Sequence, residues 1–102
     1  MTIKLTVLYT QPDDSEAFDT HYLGTHAPLA DSIPGLLRSE ISRVVAAPDG
    51  GEQIYYRIAE LYFTDQAAMQ AALRSDEGKA TSADYAQIAP PGSRMFLSVI
   101  DG

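Results

Sequence analysis

Segments of strand and helix character follow one another in the order β-α-β-β-α-β. This order predicts an α+β fold, the ferredoxin-like sandwich with an antiparallel sheet. Residues 3–10 and 53–63 are rich in β-branched and aromatic side chains, which is typical of strands. Residues 18–33 repeat apolar side chains at helical spacing. A proline- and glycine-containing turn at 48–51 joins two strands into a hairpin, so we expect a sheet with its helices on one face.

The first strand, over residues 3–10, has one apolar face and one mixed face. The apolar face carries Ile3, Leu5, Val7 and Tyr9, and the mixed face carries Lys4, Thr6, Leu8 and Thr10. Pro12 lies in the segment that breaks the strand. Asp13, with Glu16 three residues later, resembles a capping box, so a helix is expected to begin there.

The first helix contains both histidines of the chain. At about 100° per residue, one stripe faces the core, formed by Phe18, Tyr22, Thr25, Leu29 and Ile33. His21 and His26 lie on opposite shoulders of this stripe, so we do not expect them to point the same way. His26 follows Tyr22 by four residues, a spacing at which helical side chains meet. Pro28 has no N–H for the carbonyl of Gly24, so a kink or break is expected around His26.

Pro34 and Gly35 end this helical segment, because both are turn formers. The second strand, over residues 36–47, and the third, over residues 53–63, are expected to form the hairpin. One face of the third strand carries Tyr56, Ile58, Glu60 and Tyr62, and the other carries Tyr55, Arg57, Ala59, Leu61 and Phe63.

Two helices and a final strand complete the predicted pattern. Asp65 caps a helix over residues 66–74, and Ser75 caps another over residues 77–88. Residues 94–100 alternate between two largely apolar faces and form the last strand.

Apolar side chains are expected on both faces of the sheet. The side chains that suggest an apolar face away from the helices are Leu8, Leu61, Phe63, Phe96 and Ile100. A sheet that is apolar on both sides needs a second cover. The simplest cover is another copy of the chain, related by two-fold symmetry. We therefore predict a homodimer in which two four-stranded sheets form a barrel-like core.

Length, charge and composition limit the class of protein. The 102 residues have the size of one domain, over residues 1–102. With 14 acidic against 7 basic residues, the net charge of −7 argues against nucleic acid and anionic membranes as partners. The absence of cysteine excludes disulfides and thiolate chemistry. Neither a signal peptide pattern nor an apolar stretch of about 18 residues is visible, so we expect a cytoplasmic protein.

Short motifs along nearly the whole chain resemble the EthD family. They are Tyr9, Pro12, Phe18, Tyr22, His26, Pro28-Leu29, Pro34-Gly35-Leu36, Ala59-Glu60-Leu61-Tyr62-Phe63 with Thr64-Asp65, Ser75-Asp76-Glu77-Gly78, and Ala83-Asp84. The resemblance implies a dimeric α+β barrel. The family is named for proteins encoded with a cytochrome P450 system that degrades ethyl tert-butyl ether. Relatives in the wider superfamily include cofactor-free monooxygenases, isomerases, polyketide cyclases, decarboxylases and haem-degrading enzymes.

The resemblance also implies a ligand site between the sheet and the helices. His26 and Tyr22 match the family's helix motif, and Asp84 matches an acidic residue after the second helix. A histidine beside phenols on an apolar floor suits proton abstraction from an acidic carbon or a phenol, with a tyrosine hydroxyl stabilising the oxyanion. His26 and Tyr22 are therefore the candidate catalytic residues. The candidate substrate-binding residues are Tyr9, Phe18, Tyr56, Tyr62 and Asp84.

No cofactor and no metal are expected. Two histidines on opposite shoulders of a helix, with no nearby carboxylate, are poor joint ligands for a metal. No glycine-rich phosphate loop is present. Glu60 is a second acid–base candidate if its face is buried, and otherwise a rim residue paired with Arg57 or Arg43.

Three functions stay open. The first is a cofactor-independent enzyme, oxidoreductase- or monooxygenase-like, or a lyase or isomerase. It would act on a hydrophobic or aromatic small molecule of a catabolic or biosynthetic pathway. The second is a non-catalytic ligand-binding or accessory protein that partners a pathway oxygenase, and the third is a barrel that binds haem through His26. The sequence slightly favours the first, partly by analogy with related folds.

Overall fold

The computed structural model describes residues 1–101 as a four-stranded antiparallel sheet with helices packed on one face. The strands are β1 (Ile3–Thr10), β2 (Arg38–Arg43), β3 (Tyr55–Phe63) and β4 (Arg94–Val99), in the spatial order β2-β3-β1-β4. The helices are α1 (Ser15–His21), α2 (Ala27–Asp31), α3 (Gln66–Arg74) and α4 (Asp76–Ile88), with a π-helical turn over Tyr22–His26 between α1 and α2. The predicted ferredoxin-like fold is confirmed. Among the described residues, every helix falls short of the length and apolarity that a bilayer crossing requires.

Strand β1 and helix α3 have the predicted bounds, and the largest boundary error concerns β2. This strand begins at Arg38 rather than at position 36 and ends at Arg43 rather than at position 47. One further hydrogen bond, of 2.8 Å, joins the Val44 N–H to the Tyr56 carbonyl before the chain leaves the sheet. The turn that follows contains Gly50 with a φ of +76°, a conformation that favours glycine.

Carboxylate side chains cap the N-termini of helices α1 and α3. Asp14 accepts a hydrogen bond of 3.0 Å from the Ala17 N–H at the start of α1. The predicted cap at Asp13 is therefore wrong by one residue. Asp65 accepts a bond of 2.8 Å from the Ala68 N–H and caps α3, as predicted.

A close backbone contact sets the position of α4. The hydroxyl of Ser75 caps α4 by accepting a bond of 3.0 Å from the Gly78 N–H. A Cβ atom on Gly78 would lie 2.7 Å from the Cα of Leu73 and closer still to the carbonyl oxygen of Ala72. Only glycine therefore lets α4 turn back so closely against the end of α3. This contact fixes the helix that carries Asp84.

The π-helical turn changes which side chains of the first helical segment face the core. The Ala27 N–H bonds to the Tyr22 carbonyl, five residues back. Pro28 supplies no N–H to the preceding turn, and the wider turn accommodates the missing hydrogen bond. The predicted irregularity around His26 is present as this π-helical turn, and the chain stays helical through it. Phe18, Tyr22 and Ile33 of the predicted stripe lie in the core, and the stripe is wrong at one position. His26 is buried, whereas Thr25, which was expected to face the core, is exposed.

The helix-covered face of the sheet forms the hydrophobic core. It consists of Ile3, Leu5, Val7, Tyr9, Ala59, Leu61 and Phe63, packed against Phe18, Tyr22, Ile33, Met69 and Ala72. Leu61 lies opposite Leu5, and Phe63 lies opposite Ile3, so each pair shares a face of the sheet. The expectation that Leu61 and Phe63 belong to the outer face is therefore wrong. Both follow the alternation of β3 and point toward the helices.

The outer sheet face, which points away from the helices, is mixed rather than apolar. Its apolar side chains are Leu8, Ile58 and Phe96, and its ion pairs are Lys4–Glu60 at 3.0 Å and Arg38–Glu40 at 3.1 Å. Glu60 therefore pairs with Lys4 and not with Arg57 or Arg43. Tyr62 also lies on this face, where its ring centroid is 3.9 Å from the guanidinium carbon of Arg38.

A bulge in β3 places Tyr56 beside Arg57 on the side of α1. The register of β3 against β1 shifts after the pair Tyr9–Arg57, which leaves Tyr56 as the extra residue. The Tyr56 hydroxyl donates to Asp19 at 2.6 Å, and the Arg57 guanidinium donates to the same carboxylate at 2.9 Å. Tyr56 was expected on the face of Ile58, and the bulge is the reason that it instead joins α1 to the sheet.

Candidate functional site

A cavity of about 500 Å³ lies between the sheet and the helices. This volume is within the range of small-molecule sites. Leu5, Val7 and Leu61 form an apolar floor, and Met69 and Leu73 of α3 line another side. The polar side chains that line the cavity are Tyr9, Tyr22, His26, Asp31, Ser39, Thr81, Ser82 and Tyr85.

His26 is the histidine that lines this cavity, and it is buried, with only 5% of its surface exposed. Its Nδ1 lies 2.8 Å from a carboxylate oxygen of Asp84, and its Nε2 lies 3.3 Å from the Tyr9 hydroxyl. An ionised carboxylate can only accept, so we assign the proton of neutral His26 to Nδ1. The lone pair then lies on Nε2, beside the Tyr9 hydroxyl.

Asp84 binds both histidines at once. One carboxylate oxygen is 2.8 Å from His26 Nδ1, and the other is 2.8 Å from the Nε2 of His21. Burial would raise the pKa of Asp84, but the hydrogen bonds from His21 and His26 outweigh it and hold this pKa below its usual value.

The expectations that the two histidines diverge and that no carboxylate is near them are therefore wrong. His21 and His26 are five residues apart, and hydrogen bonds that span five residues bring such positions toward the same side of the helix.

The tyrosines of the site remain protonated through the neutral range. Burial raises the pKa of Tyr9, with a further contribution from the neighbouring Tyr22. Burial also raises the pKa of Tyr22 to about 12, although the nearby Arg57 acts in the opposite direction. The Tyr22 ring stacks on the His26 ring with centroids 5.3 Å apart. Both phenols are therefore hydrogen-bond donors next to the imidazole.

The structure brings together only some of the predicted site residues. Tyr9, Tyr22 and His26 line the cavity, and Asp84 holds His26 from behind. Phe18, Tyr56 and Tyr62 do not line it. Phe18 stacks on Tyr22 in the core with centroids 5.7 Å apart, Tyr56 binds Asp19, and Tyr62 is on the outer sheet face.

Sequence reasoning singled out Asp84 of α4 but missed the other cavity-lining residues of α4 and those around α2. Thr81 and Tyr85 line the cavity, and their spacing of four residues would have placed them on one helix face. Asp31, at the end of α2, also lines the cavity and accepts a hydrogen bond of 2.8 Å from the Ser39 hydroxyl. No short-range pattern in the sequence connects Asp31 with Ser39 of β2.

Among residues 1–101, no group of three or more acidic, histidine or cysteine side chains has a geometry that could hold a metal ion. The Nε2 atom of His26 is the ring nitrogen that could ligate a haem iron. This atom already faces the Tyr9 hydroxyl at 3.3 Å, so ligation would require Tyr9 to move.

The fold and the site together define a ferredoxin-like α+β protein with a buried histidine at a cavity of small-molecule size. Residues 11–91 match the model of the EthD domain, and the chain belongs to the EthD family. It is 35% identical over 95 residues to an uncharacterized 11.0 kDa protein from the thcB-thcC intergenic region of Rhodococcus erythropolis, with 93% of this chain and 91% of that protein covered.

Solved structures show the same fold. An EthD family protein from Bacillus halodurans is 40% identical, with a TM-score of 0.92 and coverage of 99% of this chain and 100% of that one. A dimeric ferredoxin-like protein from Thermobifida fusca is 13% identical, with a TM-score of 0.76 and coverage of 98% and 92%. SnoaB, a cofactor-independent oxygenase from Streptomyces nogalater, is 17% identical, with a TM-score of 0.67 and coverage of 99% and 94%. The last two similarities concern the fold alone.

Proposed function

We propose that this chain is a cofactor-independent enzyme of a catabolic or biosynthetic pathway. It removes a proton from a hydrophobic or aromatic small molecule in the cavity, with His26 as the general base. The observation that carries this proposal is the contact of 2.8 Å between His26 Nδ1 and Asp84, which leaves Nε2 as the basic atom. The carboxylate orients the imidazole and stabilises the imidazolium that forms.

The chemistry follows from the groups around Nε2. A proton on an acidic carbon or a phenol of the ligand moves to Nε2, and the positive charge on His26 is balanced by Asp84. The negative charge left on the ligand is stabilised by a hydrogen bond from the Tyr22 hydroxyl, or from the Tyr9 hydroxyl once it turns from Nε2 to the ligand. Because burial keeps both phenols protonated, they can donate this hydrogen bond at neutral pH.

The anion formed in this way has three possible fates. Reprotonation at another atom makes the enzyme an isomerase, and loss of a leaving group makes it a lyase. Reaction of the anion with molecular oxygen as co-substrate makes it an oxygenase. The description of SnoaB as a cofactor-independent oxygenase supports the third fate for a protein of this fold.

A proton-exchange measurement tests the base directly. The chain is incubated in D₂O with neutral aromatic ketones such as 2-tetralone, and incorporation of deuterium next to the carbonyl is followed by NMR. We expect exchange above the buffer rate for ketones that bind, and a decrease of at least about 100-fold in His26→Ala. Exchange that is unchanged in His26→Ala, or absent for every ketone shown to bind, would contradict the proposal.

A matched pair of tyrosine variants controls for indirect effects. Tyr9→Phe removes the hydroxyl that lies 3.3 Å from His26, and Tyr62→Phe removes a hydroxyl on the outer sheet face that bonds to Glu40 at 3.1 Å. The exchange rate should fall about tenfold or more in Tyr9→Phe and remain within about twofold in Tyr62→Phe. Equal effects of the two variants would show that the loss is not specific to the site.

Two alternative functions predict different results. A non-catalytic binding or accessory protein binds ligand without exchange and tolerates His26→Gln. The location of the Rhodococcus relative between thcB and thcC supports an accessory role beside the products of neighbouring genes. A haem-binding barrel gives a Soret band on addition of haem, and this band disappears in His26→Ala.

The functional form of the protein is proposed to be a cytoplasmic homodimer. The dimeric ferredoxin-like protein from Thermobifida fusca supports this proposal through its fold. Phe96, with 49% of its surface exposed, and the half-buried Leu8 and Ile58 provide apolar contacts on the outer sheet face. This face is available for a second sheet because the helices cover only the opposite one.

A further inference from the structure

We infer that the cavity selects uncharged ligands and rejects carboxylates, phosphates and sulfonates. This inference rests on the proposed function in taking the cavity as the substrate site, and it narrows the class of substrate. Among residues 1–101, the lining side chains include no lysine or arginine and one carboxylate, that of Asp31. The imidazole of His26 has a second carboxylate, Asp84, directly behind it.

The cations of the chain are held away from the cavity. Lys4 and Arg38 lie on the outer sheet face, where they pair with glutamates at 3.0 and 3.1 Å. Arg57 is buried, pairs with Asp19 at 2.9 Å and lies against the Tyr22 ring without lining the cavity. The remaining basic residues, Arg43, Arg74, Lys79 and Arg94, do not line it either.

The Nε atom of Arg57 is a buried donor, a kind of group that attracts anions when a ligand can reach it. It has no hydrogen-bond acceptor within the described part of the chain. This atom is completely covered by protein, so a ligand in the cavity does not reach it. Arg57 therefore offers a ligand in the cavity no hydrogen bond, and its charge is already paired with Asp19.

An anion that enters this cavity loses its hydration and meets no cation in return. Burial of an ion without a partner is strongly unfavourable, and Asp31 and Asp84 add repulsion. An uncharged molecule avoids both effects. If a neutral ligand loses a proton inside the site, that proton moves to His26. The net charge of the cavity therefore stays the same. The structure thus suits a ligand that enters neutral and becomes ionised only after binding.

Two fluorescent probes with the same skeleton test this selectivity. N-phenyl-1-naphthylamine is uncharged, and 1-anilinonaphthalene-8-sulfonate adds a sulfonate to the same ring system. We expect the full chain to bind the neutral probe at least about 30-fold more tightly than the sulfonate. Equal affinities, or failure of the neutral probe to bind, would overturn the inference.

Reversing the charge of Asp31, which lines the cavity, gives a second and independent measurement. Because Asp31 is exposed, the variant Asp31→Lys should fold. At low salt, a cation at this position is expected to reduce the preference for the neutral probe at least about threefold. Asp13→Lys makes the same charge change at an exposed site outside the cavity and should leave the preference unchanged. Equal shifts in both variants would attribute the selectivity to net charge and contradict the role of the cavity.

Filling the cavity with a large side chain tests whether the probes bind there. Ala30→Trp and Ser82→Trp place a large side chain in the cavity from two different helices, so one can serve if the other folds poorly. Loss of neutral-probe binding in a folded variant supports the inference, and retained binding in both would overturn it. The proton-exchange test is separate. If the cavity prefers neutral probes but proton exchange does not require His26, only the assignment of His26 as the base is wrong. If His26 catalyses the exchange of anionic ketones, only the proposed charge selectivity is wrong.

Discussion

At the scale of single residues, the Asp84 carboxylate is the group that gives His26 a defined role. It accepts from His26 inside the protein and from His21, whose side chain is 41% exposed. The two hydrogen bonds fix the carboxylate, and the carboxylate in turn fixes the imidazole tautomer.

Asp84→Asn tests this arrangement. A neutral amide of the same shape supplies no negative charge to balance an imidazolium, so exchange catalysed by His26 should fall about 100-fold or more. NMR of deuterium incorporation measures the effect, with circular dichroism as the check on folding. A rate that stays within a few-fold of the parent would exclude Asp84 as the partner of the base.

The pH dependence of stability gives a separate prediction for Asp84. The folded pKa of this carboxyl is lowered, so its ionised form stabilises the fold above the unfolded pKa of about 3.9. This contribution disappears as the pH falls through the lower folded pKa. Urea unfolding should therefore show a stability difference between the parent and Asp84→Asn that shrinks below about pH 4. A difference that stays constant with pH would contradict the assignment.

At the scale of elements, the site depends on how α4 meets the π-helical turn of Tyr22–His26. The turn directs both histidines toward α4, and the contact of Gly78 with the end of α3 sets the position of α4. From this one helix, Asp84 reaches the two histidines, and Thr81 and Tyr85 reach the cavity. Displacement of α4 would alter all three contacts together.

A glycine pair tests the importance of this helix contact. Gly78→Ala places a Cβ 2.7 Å from the Cα of Leu73, so the free energy of unfolding should fall by about 1–3 kcal/mol. Gly24→Ala is the control, because nothing lies within 4 Å of its added Cβ. We expect it to be neutral or stabilising by up to about 1 kcal/mol. Similar losses in both variants, measured by urea unfolding, would show that the contact at Gly78 is not special.

At the scale of the whole molecule, the two sheet faces have different roles. The helix-covered face holds the core and the cavity, and the outer face combines ion pairs with Leu8, Ile58 and Phe96. An outer face of this mixed kind can form a specific interface, because ion pairs define the register and apolar groups supply binding energy.

Leu8→Glu tests the outer face as the dimer interface. A charge in the middle of the interface would be buried without a partner, so the dimer dissociation constant should rise at least about 100-fold. Ala67→Glu adds the same charge on an exposed position of α3 and should leave the dimer unchanged. Sedimentation across micromolar concentrations distinguishes the outcomes. A parent protein that sediments as a single chain, or a Leu8→Glu variant that stays dimeric, would contradict this interface.

The amino-acid sequence by itself determined the order of the elements, the family and an irregularity in the helix near His26. These features depend on short-range causes, namely the strand period, the turn formers and the missing N–H of Pro28. It also singled out Tyr9, Tyr22, His26 and Asp84, which the structure brings to one place.

Only the tertiary structure decided how these residues meet. An angle of about 100° per residue assumes a regular helix, so the sequence could not show that a π-helical turn brings His21 and His26 to one carboxylate. The position of Asp84 depends on the packing of Gly78 against α3, a contact that no local pattern reveals. Likewise, Tyr56 changes face because of a bulge, and a single inserted residue reverses the alternation on which the sequence prediction relied.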